Sequence, residues 1–182
     1  MKTKTQSRLE NILLPIAKKI NVNPNLLTVL SILLTLGSAY YILKSELVVA
    51  AALFLVGALL DALDGMVARE HHRTTKFGAF FDQFADRLND GAMVIAIVLA
   101  GYISVLIGIL ALFSVLLASY MSAVMDSLTG KRIGEAISFR PLRSIAIFLG
   151  LALGYLEAAV WVLLFIGIWS IIYRLFKARW VL

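Results

Sequence analysis

Six apolar runs, each near the length that crosses a bilayer, constrain this chain more than any other feature. A spanning helix needs about 20 mostly apolar residues, because each adds about 1.5 Å across a hydrocarbon core about 30 Å thick. The runs lie at 26–43, 47–68, 78–100, 103–125, 141–155 and 158–173. Short links between them imply antiparallel neighbours, and runs this long without alternation do not suit barrel strands. Composition agrees, since 61% of the 182 residues are hydrophobic and 15% charged, well outside the balance of a soluble domain. The expected fold class is all-α: an integral membrane six-helix transmembrane bundle.

Ahead of the first run, Leu9, Ile12, Leu13, Ile16 and Ile20 recur at helical spacing, while Arg8, Glu10, Lys18 and Lys19 fall largely elsewhere. This is the pattern of an amphipathic helix lying in the membrane interface. The stretch NVNPN breaks it and lets Asn25 or Thr28 begin the first span. No polar linker marks a second domain, so the expected division is an interfacial helix over 1–22 and one six-span domain over 23–182. The first twenty residues lack the apolar core and cleavage site of a signal peptide and are expected to stay in the mature protein. Cysteine is absent, which excludes disulfides, thiolate chemistry and Cys-based zinc sites.

Lysine and arginine orient the bundle. With the N-terminus inside, Lys18, Lys19, Arg69, Arg73, Lys131, Arg132, Arg140, Arg143 and Arg174 gather at cytoplasmic ends, and the outer turns keep only Lys44 beside Glu46 and Glu157. Both termini are therefore expected in the cytoplasm, at the plasma membrane. The net charge of +6 reads as orientation and attraction to anionic lipid rather than as nucleic-acid binding.

Against this background, Asp61, Asp64, Asp82 and Asp86 stand beside the longest apolar runs. Spacing i, i+3 puts the first pair on one helix face, and i, i+4 does the same for the second. The two pairs end adjacent antiparallel spans at the cytoplasmic face and can converge. Four carboxylates at membrane depth repel and lose hydration. Divalent cations would relieve that, and an all-oxygen donor set favours Mg²⁺ or Mn²⁺, with two ions bridged about 4 Å apart. Gly65 and Gly78 permit close approach, Arg69 lies one turn beyond Gly65, and Thr75 precedes the third span where a helix N-terminus can contact phosphate. Carboxylates, metals and arginine together suit a diphosphate.

Asp61, Asp64, Gly65, Ala68, Arg69, Gly78, Asp82 and Asp86 reproduce D-x2-D-G-x2-A-R-x8-G-x3-D-x3-D with every spacing intact. The chain resembles the CDP-alcohol phosphotransferase family. The resemblance implies attack of an alcohol on a CDP-linked lipid, release of CMP, and a homodimer. It implies that Asp61, Asp64 and Asp82 hold metal, and that Asp86 completes the second metal site and acts as base. It assigns Gly65, Ala68, Arg69, Thr75 and Gly78 to the CDP-lipid, with Asn25 and Thr28 near the cytidine.

The segment SYMSAVMDSLTGKRIGEAISFRPLR is similar to the corresponding part of enzymes that make phosphatidylinositol phosphate or its archaeal ether-lipid counterpart. Arg140 and Arg143, with Lys131 and Arg132, are candidates for gripping a phosphorylated acceptor; positive-inside bias explains the first two equally well and Lys131 and Arg132 better. Ser122 stands where those enzymes carry a basic residue, and Phe139 and Leu142 precede the arginines where they carry glutamates. The acceptor stays open between inositol phosphate, glycerol phosphate and another polyol. His71, His72 and the tryptophans are read as interface residues, and Asp90 as a residue ordering Arg87 or water. Two rival classes are an intramembrane prenyltransferase, which would need two separate aspartate motifs, and a cation transporter, which would show a repeat of the acids in the second half.

Overall fold

A computed structural model of the chain describes residues 13–130 and 140–181, without the side chains of Arg140 and Val181. Among the described residues there are seven helices. They are α1 (13–19), α2 (Pro24–Leu43), α3 (Leu47–Glu70), α4 (Lys76–Leu99), α5 (Val105–Thr129), α6 (Arg140–Leu153) and α7 (Leu156–Val181).

Local chemistry sets their ends. Asn23 caps α2 by accepting from Asn25 N at 3.0 Å, with Pro24 in the first turn, where its missing N–H costs nothing. Thr75 caps α4 by accepting from Gly78 N at 2.9 Å. Gly130, at φ 64°, ends α5 in a left-handed conformation that a side chain disfavours. The expected last run stops at 173, whereas α7 continues to Val181 because no glycine or proline interrupts YRLFKARWV.

Four helices are long and apolar enough to cross a membrane: Pro24–Leu43, Leu47–Glu70, Val105–Thr129 and Leu156–Trp180. The expectation of six such spans is met only in part. Among the other two, α4 has 24 residues but carries Lys76, Asp82, Asp86, Arg87 and Asp90, and α6 has only 14. Large apolar side chains point outward around the bundle, with Leu33 58%, Leu106 66%, Phe113 62% and Phe165 70% exposed. Such a surface suits hydrocarbon rather than water. The chain is a multi-pass membrane protein.

Inside, α2 packs on α3 and α4, and α5 packs on α7. The α2 face against its neighbours is small and polar: Thr28, Ser31, Thr35 and Ser38 are all buried. Ser38 Oγ donates to the Ala50 carbonyl at 2.8 Å, the kind of close, bonded contact that replaces hydrophobic driving force between membrane helices. Gly167 of α7 lies against Ser114 of α5, where an added Cβ would collide with the serine hydroxyl. An apolar core including Ile42, Phe54, Met93, Ile97, Leu151 and Val160 fills one end of the bundle.

At the opposite end, Leu13 and Ala17 of α1 pack with Leu27, Leu63, Met66 and Val67. The loop after α3 holds this short helix in place. His71 Nε2 lies 3.1 Å from the Ala17 carbonyl, and Arg73 Nη2 donates to Asn21 Oδ1 at 2.7 Å. Residues 1–12, which carry much of the expected amphipathic pattern, lie outside the described residues.

Candidate functional site

The turn at 71–75 folds α4 back along α3 and brings the last turns of one against the first turns of the other. Asp61, Asp64 and Asp82 each present a carboxylate oxygen there, and these atoms lie within 4.8 Å of one another. Asp64 is 4% exposed, and Thr28 Oγ1 donates to its Oδ2 at 2.5 Å from α2. Three carboxylates so close repel unless a cation lies among them, and three oxygens of this kind suit a hard divalent ion. The residues fit such an ion.

Asp86, one turn further along α4, is not part of that group of three. It is buried, and its Oδ2 lies 3.5 Å from Arg87 Nη2. Beside it opens a cavity of about 580 Å³ walled by α4, α5, α6 and α7. Asp86, Arg87, Ser119, Asp126, Arg143 and Arg174 give this cavity its charge and hydrogen-bonding groups, while Phe80 and Phe84 form an aromatic wall.

The remaining expected residues fall into two places. Arg69 folds back over Gly65, where a methyl would stand 3.3 Å from its Nη1. Asn25 reaches the start of α4, where a methyl on Gly78 would stand 3.4 Å from Asn25 Oδ1 and 3.1 Å from Thr75 Oγ1. Ala68 accepts from Arg73 N at 2.8 Å in the turn that reverses the chain. Thr28 is buried behind Asp64 rather than facing open space. Arg143 lines the cavity, whereas Lys131, Arg132 and the side chain of Arg140 lie outside what the structure describes.

Sequence reasoning missed Arg174, which is buried in the cavity wall with its Nη1 bonded to Ser170 Oγ and, at 3.3 Å, to the Ser170 carbonyl. The signal was present: an arginine ending an apolar run is a functional candidate by default. Counted with the orientation charges, it lost that meaning.

An all-helical membrane bundle whose carboxylate cluster opens on a cavity lined by Arg87, Arg143 and Arg174 as well as Asp82, Asp86 and Asp126 suits the handling of phosphorylated groups. The match of residues 21–173 to the CDP-alcohol phosphatidyltransferase family model shows that the chain belongs to that family, whose members build phospholipids from CDP-linked precursors. The chain is 36% identical to archaetidylinositol phosphate synthase of Methanothermobacter thermautotrophicus, covering 88% of this chain and 85% of that one. It is 33% identical to phosphatidylinositol phosphate synthase of Corynebacterium glutamicum, over 90% and 82%. The fold is similar to that of Mycobacterium tuberculosis phosphatidylinositol phosphate synthase. With CDP-DAG bound, that structure gives a TM-score of 0.75 at 24% identity, covering 91% and 92%. In complex with manganese and citrate, it gives 0.73 at 23%, covering 93% and 87%. As an enzyme of this family, the chain transfers a phosphatidyl-type group from a CDP-linked lipid to an alcohol. The prenyltransferase and transporter readings fall with this result.

Proposed function

We propose that the alcohol is an inositol phosphate and that the product is a phosphoinositol-phosphate lipid. The observation that carries this is the cavity beside Asp86, where Arg143 and Arg174 are both buried. Two guanidinium groups held away from water suit a phosphate on the incoming alcohol, because charge-assisted contacts gain strength there. The names of the relatives from Methanothermobacter and Corynebacterium support the same acceptor.

In this reading Asp61, Asp64 and Asp82 hold divalent metal, Mg²⁺ or Mn²⁺, and Asp86 completes a second metal position. Bound there, the ions would draw charge from the diphosphate. Arg69, folded over Gly65, meets the diphosphate, and Asn25, Thr75, Gly78 and Ala68 border the nucleotide. Asp86 accepts the proton of the acceptor hydroxyl. The hydroxyl oxygen bonds to the lipid-linked phosphorus, the bond from that phosphorus to CMP breaks, and CMP leaves with the electron pair. Arg143 and Arg174 hold the acceptor phosphate, together with Lys131, Arg132 and Arg140 from the segment that leads to Arg143.

We also infer six crossings, with the site and both termini cytoplasmic. Since α3 ends at the acidic group and α5 begins near the apolar core, α4 must carry the chain across between them. By the same reasoning, α6 carries it from the cavity end of α5 back to the start of α7. A homodimer follows from the family resemblance.

The deciding experiment offers purified enzyme and Mg²⁺ a mixture of inositol, inositol phosphate, glycerol and glycerol phosphate. CDP-diacylglycerol and CDP-archaeol serve as donors, and the lipids formed are weighed by mass spectrometry. The expected product carries inositol phosphate. A product from glycerol phosphate or an uncharged polyol, with none from inositol phosphate, overturns the acceptor assignment.

A further inference from the structure

Asp82, Asp86 and Asp90 follow one another at four-residue spacing on α4, so they share a face. Metal binding and proton transfer use the first two. The third is assigned to neither, yet it joins two arginines. Its Oδ2 accepts from Arg143 Nη1 at 2.8 Å and faces Arg87 Nη1 at 3.4 Å. That Arg87 nitrogen also donates to Ser119 Oγ at 2.5 Å, and the other terminal nitrogen lies 3.5 Å from Asp86 Oδ2. One carboxylate on α4 thus joins a guanidinium of α6 to another that spans α4 and α5.

Asp90 does not line the cavity, whereas Arg87, Arg143, Ser119 and Asp86 all do. It stands behind the wall and acts on what the wall presents. We propose that Asp90 is a positioning residue for the acceptor: it aims Arg143 into the cavity and, through Arg87, fixes the carboxylate of Asp86 towards the attacking hydroxyl. A buried arginine keeps one geometry only if its donors are satisfied, and Arg143 and Arg87 share this acceptor. Without it, Arg87 would keep Asp86 and Ser119 while Arg143 lost the carboxylate it donates to, and the two guanidinium groups would no longer be tied to one another. The grip on the acceptor and the aim of the base would then fail together, although neither residue had been altered.

This rests on the reading of the cavity as the acceptor site, and the test separates the two. Full-length Asp90→Asn, Arg174→Gln and parent enzyme are compared in lipid nanodiscs with inositol phosphate and CDP-diacylglycerol, each varied in turn, alongside melting temperature. For Asp90→Asn the expected result is an acceptor KM raised about 10- to 100-fold, the range seen when a residue orienting a ligating group is lost. The accompanying kcat should be lower, with donor KM and melting temperature near the parent's. An unchanged acceptor KM overturns the proposal, whatever happens to stability. If Arg174→Gln raises acceptor KM and Asp90→Asn does not, the acceptor site stands and only the role of Asp90 falls. If neither variant moves it, the cavity reading falls as well. Should Asp90→Asn fail to fold, Asp90→Glu decides. It keeps the charge but displaces both arginines by a methylene, so a raised acceptor KM at parental melting temperature supports positioning and an unchanged one overturns it.

Discussion

Thr28 Oγ1 and Asp64 Oδ2 are 2.5 Å apart, a hydrogen bond that joins α2 to the most buried carboxylate of the acidic group. The hydroxyl also lies 3.2 Å from the Pro24 carbonyl, and its single proton goes to the nearer, charged partner. A residue expected near the cytidine is thereby seen supporting a carboxylate from behind.

Replacing Thr28 with Val keeps the shape and removes the donor. A hydrogen bond to a charged group contributes about 1.5–3 kcal/mol, so divalent-ion affinity should fall about 10- to 100-fold. Thr28→Ser should retain most of it. Titrating Mn²⁺ into each variant, followed by electron paramagnetic resonance, checks this without turnover; equal affinity in Thr28→Val and parent would refute it.

Asp86 should separate from the other acids in function. Asp86→Asn should lower kcat about 10²- to 10⁴-fold, the usual worth of a positioned base, with little loss of CDP-lipid binding. Asp61→Asn and Asp82→Asn should weaken Mn²⁺ and CDP-lipid binding together. Equilibrium binding of CDP-lipid at several Mg²⁺ concentrations separates these outcomes, and equal loss in all three variants would remove the special place of Asp86.

Arg174→Gln should raise the KM for inositol phosphate about 10- to 100-fold, as expected for the loss of a charge-assisted contact, while donor KM holds. Steady-state curves for each substrate decide. A rise in donor KM alone would move Arg174 to the nucleotide side.

The contact of Gly167 with Ser114 should limit stability, and because Gly167 also lines the cavity the test reads melting temperature rather than turnover. Gly167→Ala forces α5 and α7 apart and should cost about 1–3 kcal/mol. Adding Ser114→Gly should restore the melting temperature in detergent; a single variant as stable as the parent would show that the helices yield freely.

Much of the fold could be read from the sequence because its signals are local. The apolar runs place α2 to α6 to within a few residues, while α7 continues from 173 to Val181. The acidic group was legible for the same reason, since Asp61, Asp64 and Asp82 lie on two consecutive helices whose link is too short to allow any other arrangement. The cavity was not. Arg143 and Arg174 come from separate helices far along the chain, and nothing in their neighbours' spacing says which face meets Asp86. Ser119 and the bond from Thr28 to Asp64 were hidden differently, for a hydroxyl in an apolar helix most often bonds its own backbone.

Packing puts α2 and α3 on one side and α5 and α7 on the other, and among the described residues α4 carries both a member of the acidic group and a wall of the cavity, while α6 also meets α3. Inheritance can therefore act on the two sides unequally. Drift in α5 and α7, which carry none of the acidic group, reshapes what is admitted while the carboxylates of α3 stay in place, so descendants can change customers while keeping their leaving group. Drift on α4 meets less freedom, because Asp82 faces the acids of α3 while Asp86 and Arg87 face the cavity. Chimeras between relatives with different acceptors should therefore tolerate a junction after α4 far better than one within it.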